Sequence, residues 1–170
     1  MFYSILDFHF GSLFLAKTHK GLSAAHYLKS RAELSQVMGY FKKRKITLEA
    51  KRPKFKREER LFQRYFSGKK EDFASLPLDF VTGTPFQRRV WREARKIPYG
   101  ATETYKSLAA KIGTRGYRSV GQALGQNPLL IVIPCHRVIG SDGSLVGFGA
   151  GMDVKQFLLD LEQGKKTTIN

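Results

Sequence analysis

The sequence predicts an α+β protein with a small N-terminal α/β domain and a helical, winged-helix-like C-terminal domain containing a helix-turn-helix. Three observations support this fold class. The first 28 residues carry aromatic and aliphatic runs broken by glycine, which is typical of β-strands. Later segments repeat apolar residues at helical spacing between capping residues and glycines. The stretch 69–77 has mixed charge and a proline, so we expect domains over residues 1–76 and 77–170.

The N-terminal domain is expected to combine short strands with two helices. In chain order we predict a β-hairpin over residues 1–16 that turns at Gly11 and Ser12, a strand over 21–28, a helix capped by Ser30 that runs to the basic cluster 42–45, a strand over 46–50, a basic loop over 51–56, and a helix over 58–66 ended by Gly68. A serine hydroxyl accepts hydrogen bonds from the first helical turn. The basic cluster suits a helix C-terminus, where the helix dipole favours cations.

Four helices are expected in the C-terminal domain. They begin at Thr84-Pro85, at 102–105, at Tyr117 and at Val154, and they end near Ile97 and at Gly113, Leu124 and Glu162. Thr84 before Pro85 places a capping residue ahead of a proline at the first helical position. The two short helices that flank Gly116 form a helix-turn-helix. Because Gly121 and Ala123 are small, the outer face of the second helix is expected to press close to a nucleic-acid groove.

The charge of the chain points to a polyanionic partner. Lys and Arg number 30 against 14 Asp and Glu, a formal charge of +16, so nucleic acid is the expected partner. The single cysteine excludes an intrachain disulfide and a multi-cysteine zinc site, and it fits a reducing compartment. No apolar run approaches the roughly 18 residues of a membrane span, and the start of the chain lacks signal-peptide features. We therefore expect a cytoplasmic protein, nuclear in a nucleated cell, with no membrane partner.

The single cysteine lies in the stretch that looks most like a reactive centre. Cys135 stands between two apolar runs, 129–133 and 138–139, and Pro134 ends any strand because it has no N–H to donate. A lone cysteine at such a turn is either inert core filler or a nucleophile. His136 and Arg137 add a potential base and a positive charge, and either can help to hold the sulfur as the reactive thiolate. From these residues alone, both interpretations remain open.

Five separated elements resemble a known family, in order along the chain. They are Thr84-Pro85-Phe86-Gln87, Tyr105, Arg118, Asn127-Pro128 and Pro134-Cys135-His136-Arg137-Val138. In these residues the chain resembles the O6-alkylguanine-DNA alkyltransferases, also called methylated-DNA–protein-cysteine methyltransferases. The resemblance covers residues 77–163 specifically and the first 75 residues loosely. It implies an RNase H-like N-terminal domain ahead of the DNA-binding domain, and a monomer that acts on double-stranded DNA carrying O6-alkylguanine.

The resemblance also assigns a chemistry to the site. Cys135 would accept the alkyl group from O6 of guanine, and from O4-alkylthymine as well, and each molecule would act once because a thioether is not readily hydrolysed. No metal or organic cofactor is implied. His136 would deprotonate the thiol through a bridging water, Glu162 would orient the histidine, and Asn127 would brace the turn that carries the cysteine. An amide suits this last role because it both donates and accepts hydrogen bonds.

Because O6 is hidden inside a duplex, the resemblance implies that the target nucleotide is rotated out of the helix. Arg118 would fill the vacated stack, and Tyr105 would contact the extruded base from a helix-turn-helix that enters the minor groove. The base pocket would include Val138, Phe148 and Gly149. The residues assigned to DNA contact are Thr84, Arg115, Ser119, Gln122, Ala123 and Arg137.

The chain departs from the family pattern in the glycine-rich loop that follows the cysteine. Phe148 stands where tyrosine is common, Gly149 where serine or alanine is common, and Ala150 where glycine is usual. These differences remove hydrogen bonds to the base and change the room for the alkyl group.

Two other functions fit parts of the sequence. A cysteine hydrolase would use Cys135 and His136 on a small acyl or amide substrate, but it would gain nothing from the charge of +16 or from a helix-turn-helix. A DNA-binding winged-helix module without catalysis would explain the charge and the helices. It would leave the cysteine and its neighbouring histidine, asparagine and glutamate without a role.

Overall fold

A computed structural model describes residues 1–8 and 11–165 and confirms the α+β class. The N-terminal half is built on a four-stranded sheet in the order β3-β2-β1-β4. Its strands are β1, Phe2–Phe8; β2, Gly11–Lys17; β3, Leu22–Leu28; and β4, Glu49–Ala50. The first three pair antiparallel, while β4 runs parallel to β1.

Two helices cover the two faces of this sheet, α1 over Arg31–Lys43 and α2 over Lys56–Phe66. Side chains alternate across a strand, so β2 supplies both cores. Leu13 and Leu15 pack into the core that contains α2, whereas Phe14 and Ala16 pack into the core that contains α1. All four are fully buried, which explains why β2 is apolar along most of its length.

Local signals predicted the ends of α1 and α2 well. The Ser30 hydroxyl accepts from the Glu33 N–H at 3.4 Å, and α1 ends within the basic cluster, as predicted. Gly68, with φ of 75°, lies two residues after the end of α2, and this left-handed conformation costs glycine little. Both helices were therefore identifiable from capping residues and periodicity.

Three predictions in this half were wrong in detail: the position of the hairpin turn, the length of the strand over 46–50 and the basic loop over 51–56. Gly11 and Ser12 do not form the hairpin turn but pair with Phe8 and Asp7 as the start of β2. A Cβ on Gly11 would lie 2.6 Å from the Tyr27 ring, so this glycine permits a close approach, not a turn. Residues 9 and 10 lie outside the described residues.

The segment 46–56 also differs from its prediction. Only Glu49–Ala50 forms a strand, and the expected basic loop contains a 3₁₀ helix, Arg52–Phe55, that leads directly into α2 at Lys56. Phe55 is fully buried and draws this basic segment against the sheet. The prediction of a loop rested on the basic residues of this segment, but burial of the Phe55 ring determines its helical conformation.

Up to residue 165, the C-terminal half contains four α-helices and a two-stranded parallel sheet. In chain order these are α3, Pro85–Ala94; β5, Glu103–Thr104; α4, Tyr105–Lys111; α5, Tyr117–Gly125; β6, Val138–Ile139; and α6, Met152–Glu162. Thr84 and Gln87 form a capping box that begins α3. The predicted helix-turn-helix corresponds to α4 and α5. Trp91 of α3 joins α3 to α5, because its Nε1 donates a hydrogen bond to the Ala123 carbonyl at 2.7 Å.

The two halves share one hydrophobic core in the structure. Residues 129–133 are buried, as predicted, and Leu129 bridges to Ala25 of β3. The division at 76/77 stays a prediction, and residues 166–170 of the expected second domain lie outside the described part. No helix in the described ranges is long and apolar enough to cross a membrane.

Candidate active site

Cys135 lies at a tight turn with buried chain on either side. It opens a short 3₁₀ helix, Cys135–Arg137, directly after Pro134, and only 6% of its surface is exposed. Four residues earlier, Ile131 adopts a φ of 71°, a conformation that is strained for a β-branched residue. The turn that presents the sulfur is therefore fixed by the surrounding core, since an isolated chain would avoid this backbone conformation.

Asn127 connects the end of α5 to this turn. Its Nδ2 donates to the Ile133 carbonyl at 2.9 Å and contacts the Cys135 Sγ at 3.1 Å. Its Oδ1 accepts from the Leu129 N–H at 2.9 Å. One amide thus contacts the backbone before the cysteine and the sulfur itself, a combination of donor and acceptor that a carboxylate cannot supply.

The environment of the thiol raises its pKa above the ordinary value. Burial is the main cause, and the Asn127 amide and the Lys155 ammonium only partly offset it. Arg137 does not stabilise a thiolate, because its guanidinium is bonded elsewhere, so that expectation from the sequence was wrong. At neutral pH the resting sulfur is a thiol, and its reaction needs a base.

Glu162, in the last turn of α6, is the centre of a buried charge cluster. Its Oε1 accepts from His136 Nε2 at 2.7 Å, from Arg137 Nη2 at 2.9 Å and from the Tyr65 hydroxyl at 2.6 Å. Its Oε2 accepts from Arg137 Nε at 2.9 Å and from the Gly100 N–H at 3.1 Å. Burial alone would raise the pKa of Glu162, but the hydrogen bonds and charges of His136 and Arg137 hold it well below its usual range.

This carboxylate fixes the protonation state of His136. Since Glu162 is ionised, Nε2 of the histidine must carry the proton that it donates, which leaves Nδ1 with a lone pair. Burial lowers the pKa of His136, although Glu162 raises it in part, so the ring is neutral at pH 7. Nδ1 is buried and has no hydrogen-bond partner in the described residues, so it is available to accept a proton.

Three of the residues predicted to contact DNA or the base have buried side chains. Arg137 is 2% exposed and also donates to the Ile97 carbonyl, so its charge serves Glu162 and cannot reach a phosphate. Ala123 is buried against α3 and does not belong to the outer face of α5. Val138 is fully buried, so its side chain lines no open surface.

The other predicted contacts lie at the surface around two clefts. A cleft of about 370 Å³ reaches Cys135 and is lined by Asn127, Phe148 and Gly149. The Phe148 ring meets the His136 ring edge-on at 6.4 Å, so this phenylalanine packs against the histidine without offering a hydrogen bond. Thr84 is exposed, and its hydroxyl caps α3.

A second cleft, of about 1130 Å³, runs between α5 and the loop after β6. It is lined by Tyr105, Arg115, Arg118, Gln122 and Val146. Arg115, Arg118, Ser119 and Gln122 are exposed, so the outer face of the helix-turn-helix carries the polar and basic groups that were expected there. The Tyr105 hydroxyl donates to the Val146 carbonyl at 3.0 Å and joins the helix to the loop.

Two residues of the site were missed from the sequence, Lys155 and Tyr65. Lys155 has no exposed surface, and its Nζ donates to the Val138 carbonyl at 2.7 Å and to the Val146 carbonyl at 3.0 Å. Helical spacing places Lys155 on the same face of α6 as Glu162, seven residues later, and that spacing was the available signal. Tyr65 gave no such signal, because its partner lies 97 residues away. In the described part of the chain, no group of three or more His, Cys, Asp or Glu side chains is arranged to hold a metal ion.

Fold and site together define a DNA-binding protein that carries one buried cysteine beside a histidine–glutamate pair. The chain belongs to the 6-O-methylguanine DNA methyltransferase family. The DNA-binding domain of that family matches residues 85–164, and its ribonuclease-like domain matches residues 1–80.

Individual relatives support this assignment over most of the chain. The methylated-DNA–protein-cysteine methyltransferase of Methanosarcina barkeri is 43% identical over 164 residues, which are 96% of this chain and 98% of the relative. That of Haemophilus influenzae is 46% identical over 112 residues, 65% of this chain and 62% of the relative. The structure of Mycobacterium tuberculosis OGT in complex with DNA aligns with a TM-score of 0.78 and 36% identity, covering 96% of this chain and 94% of that one.

Proposed function

We propose that this protein repairs DNA by transferring the alkyl group of O6-alkylguanine, and of O4-alkylthymine, to Cys135. The observation that carries the proposal is the cysteine at the end of a cleft, bonded to Asn127 and followed by a neutral histidine that Glu162 orients. The names of the relatives, and the complex of one structural neighbour with DNA, support this reaction and this partner. In this reaction the sulfur–carbon bond forms as the bond between that carbon and O6 breaks, and the guanine departs intact.

The proton that leaves the thiol is accepted by the histidine. His136 Nδ1 takes the thiol proton through a bridging water, and a proton returns to the guanine as it leaves. Glu162 stays ionised throughout and stabilises the imidazolium, because its pKa lies far below that of the ring. The product is a thioether, which water does not readily cleave, so each molecule reacts once.

Because the cysteine is buried, the target base must leave the duplex to reach it. With 6% of its surface exposed, Cys135 cannot reach an O6 atom inside a stacked duplex, so the nucleotide must be flipped out. Arg118, exposed on α5, would occupy the vacated stack, and Tyr105, which lines the same cleft, would contact the extruded base. Gly121 on α5 faces the Tyr105 ring, and a Cβ added there would meet the ring at 3.6 Å, an ordinary van der Waals contact.

We assign DNA binding mainly to the positive charge of the protein and to the shape of the minor groove. A minor-groove approach carries little sequence information, so damage and not sequence would be selected. The formal charge of +16 supports a salt-dependent complex with DNA through counterion release. We further propose that the protein acts as a monomer in the compartment that holds the DNA, the cytoplasm or, in a nucleated cell, the nucleus.

Intact-protein mass spectrometry after incubation with a duplex carrying one O6-methylguanine tests this function. We expect each protein molecule to gain one methyl group in place of one proton, and the guanine to be restored in equal amount. Repeated turnover of an acyl ester without a lasting gain in mass would instead indicate a cysteine hydrolase. DNA binding without any gain in mass would indicate a binding module.

Replacing Arg118 by alanine tests the base-flipping step. We expect the transfer rate from duplex DNA to fall by about tenfold or more, because the cost of unstacking, a few kcal/mol, is no longer offset. The rate with the free base O6-benzylguanine should change less than twofold, since this substrate needs no flipping. Single-turnover kinetics at saturating protein measure both rates.

Arg115→Ala is the matched control for this experiment. Arg115 is exposed in the same cleft, and its loss should weaken DNA binding while leaving the saturated rate nearly unchanged. An equal loss on duplex and free base in Arg118→Ala would contradict a role in flipping.

A further inference from the structure

Tyr65 brings the N-terminal half of the chain into the charge cluster beside the cysteine. It lies near the end of α2, has no exposed surface, and packs against Phe73 at 5.6 Å and Tyr99 at 5.9 Å between ring centroids. These contacts are made by the ring, and a phenylalanine would make them equally well. The hydroxyl therefore needs a separate explanation, because a buried polar group is costly unless it is bonded.

The hydroxyl is bonded to the carboxylate that orients the histidine. It donates to Glu162 Oε1 at 2.6 Å and lies 3.4 Å from His136 Nε2. The remaining hydrogen bonds that Glu162 accepts in the described structure come from Gly100, His136 and Arg137. Tyr65 is thus the one described residue before position 77 that donates to this carboxylate.

The tyrosine acts as a fixed donor and does not pass a proton on. Burial and the charge of Glu162 raise the pKa of Tyr65 well above its usual value, so the hydroxyl is protonated at neutral pH. Its bond to Oε1 competes with that of His136, because both donors share one oxygen. A carboxylate whose charge is spread over more donors attracts the imidazolium less strongly.

We propose that Tyr65 is a positioning residue that sets the orientation and basicity of His136 through Glu162, so that activation of Cys135 depends on both halves of the chain. This inference rests on the proposed function, in which His136 deprotonates the thiol. The charged and titratable groups around His136 are Glu162 and Lys155 on α6, Arg137 and Cys135 on the 3₁₀ helix, and Tyr65 on α2. Tyr65 and the Cys135 thiol are the neutral members of this set, so the Tyr65 hydroxyl can be removed without changing the net charge.

Tyr65→Phe in the full chain tests the inference. Without the hydroxyl, the carboxylate charge is concentrated on His136 and Arg137, which raises the pKa of His136. Because the neutral ring is the base, the acidic side of the pH–rate profile for alkyl transfer should move upward by roughly half a pH unit. The rate at pH 7 should fall by about tenfold, because one hydrogen bond that fixes the carboxylate is lost.

Tyr99→Phe is the matched control. Tyr99 packs against Tyr65, and its buried hydroxyl has no hydrogen-bond partner in the described residues, so its removal should leave the profile unchanged. Thermal unfolding of both variants shows that each is folded. A uniform loss of rate in Tyr65→Phe without a shift in the profile, or identical behaviour of the two variants, would overturn the proposal.

A second measurement separates this inference from the proposed function. Alkylation of Cys135 by iodoacetamide, followed by intact mass as a function of pH, needs neither DNA nor a repair reaction. The same upward shift is expected in Tyr65→Phe. If the wild-type protein transfers no alkyl group from DNA but the iodoacetamide profile shifts, the proposed function fails and the role of Tyr65 stands. If transfer occurs and neither profile shifts, the role of Tyr65 fails alone.

Discussion

Cys135→Ser is expected to abolish alkyl transfer from O6-methylguanine while leaving DNA binding within about twofold of wild type. A hydroxyl is a far weaker nucleophile than a thiol, so we expect the rate to fall by on the order of 10⁴-fold or more. Serine fits the site, because the Asn127 Nδ2 that lies 3.1 Å from the sulfur can donate to a hydroxyl oxygen as well. Binding should persist, since the basic surface of the helix-turn-helix is untouched.

The measurement compares intact mass with binding on the same duplex. The sequence contains one cysteine. A lasting alkyl adduct on a thiol sulfur of the wild-type protein must therefore lie at Cys135. Cys135→Ala is the control, because it removes the nucleophile without leaving a hydroxyl. Alkyl transfer by Cys135→Ala would show that another residue is the acceptor.

Most of the helices could be predicted because their signals are local. Capping residues, a proline at the first helical position and glycines after the last turn lie within a few residues of the ends that they mark. The short strand β4 was overestimated because its pairing with β1 depends on residues that are nearly 50 positions away. Gly11 was misinterpreted for a related reason, since the Tyr27 ring that it accommodates lies on another strand.

The site was predictable in its chemistry and less so in its electrostatics. Cys135 and His136 are adjacent, and Asn127 and Glu162 were identified by resemblance to the family. For Arg137, the positive charge alone led to the prediction of a DNA contact. A cation in a basic protein suggests a DNA contact, but the carboxylate that binds this one lies 25 residues further along the chain. Only the folded chain shows that the cation is buried and paired.

Glu162→Gln is expected to lower both the stability and the reaction rate. It leaves the Arg137 guanidinium, 2% exposed, without a counter-charge, and breaking a buried ion pair from one side costs about 3–5 kcal/mol. The glutamine amide also cannot stabilise an imidazolium, so transfer should slow by roughly 10²–10⁴-fold. Denaturant unfolding at pH 7 and single-turnover kinetics measure the two effects.

Asp160→Asn is the matched control on the same helix. Asp160 pairs with Lys165 at 3.1 Å in a partly exposed bridge, so its loss should cost less than about 1 kcal/mol and leave the rate unchanged. A comparable loss in both variants would mean that the buried cluster has no special role.

The pH dependence of stability gives an independent test of the same carboxylate. Because the pKa of Glu162 is depressed in the folded state, its contribution is fully present above the ordinary carboxylate value of 4.5 and is lost as the pH falls below it. The stability gap between wild type and Glu162→Gln should therefore be constant from pH 7 to about pH 5 and shrink at more acidic pH. A gap that stays constant down to pH 3 would contradict the assignment of Glu162 as the ionised partner of both His136 and Arg137.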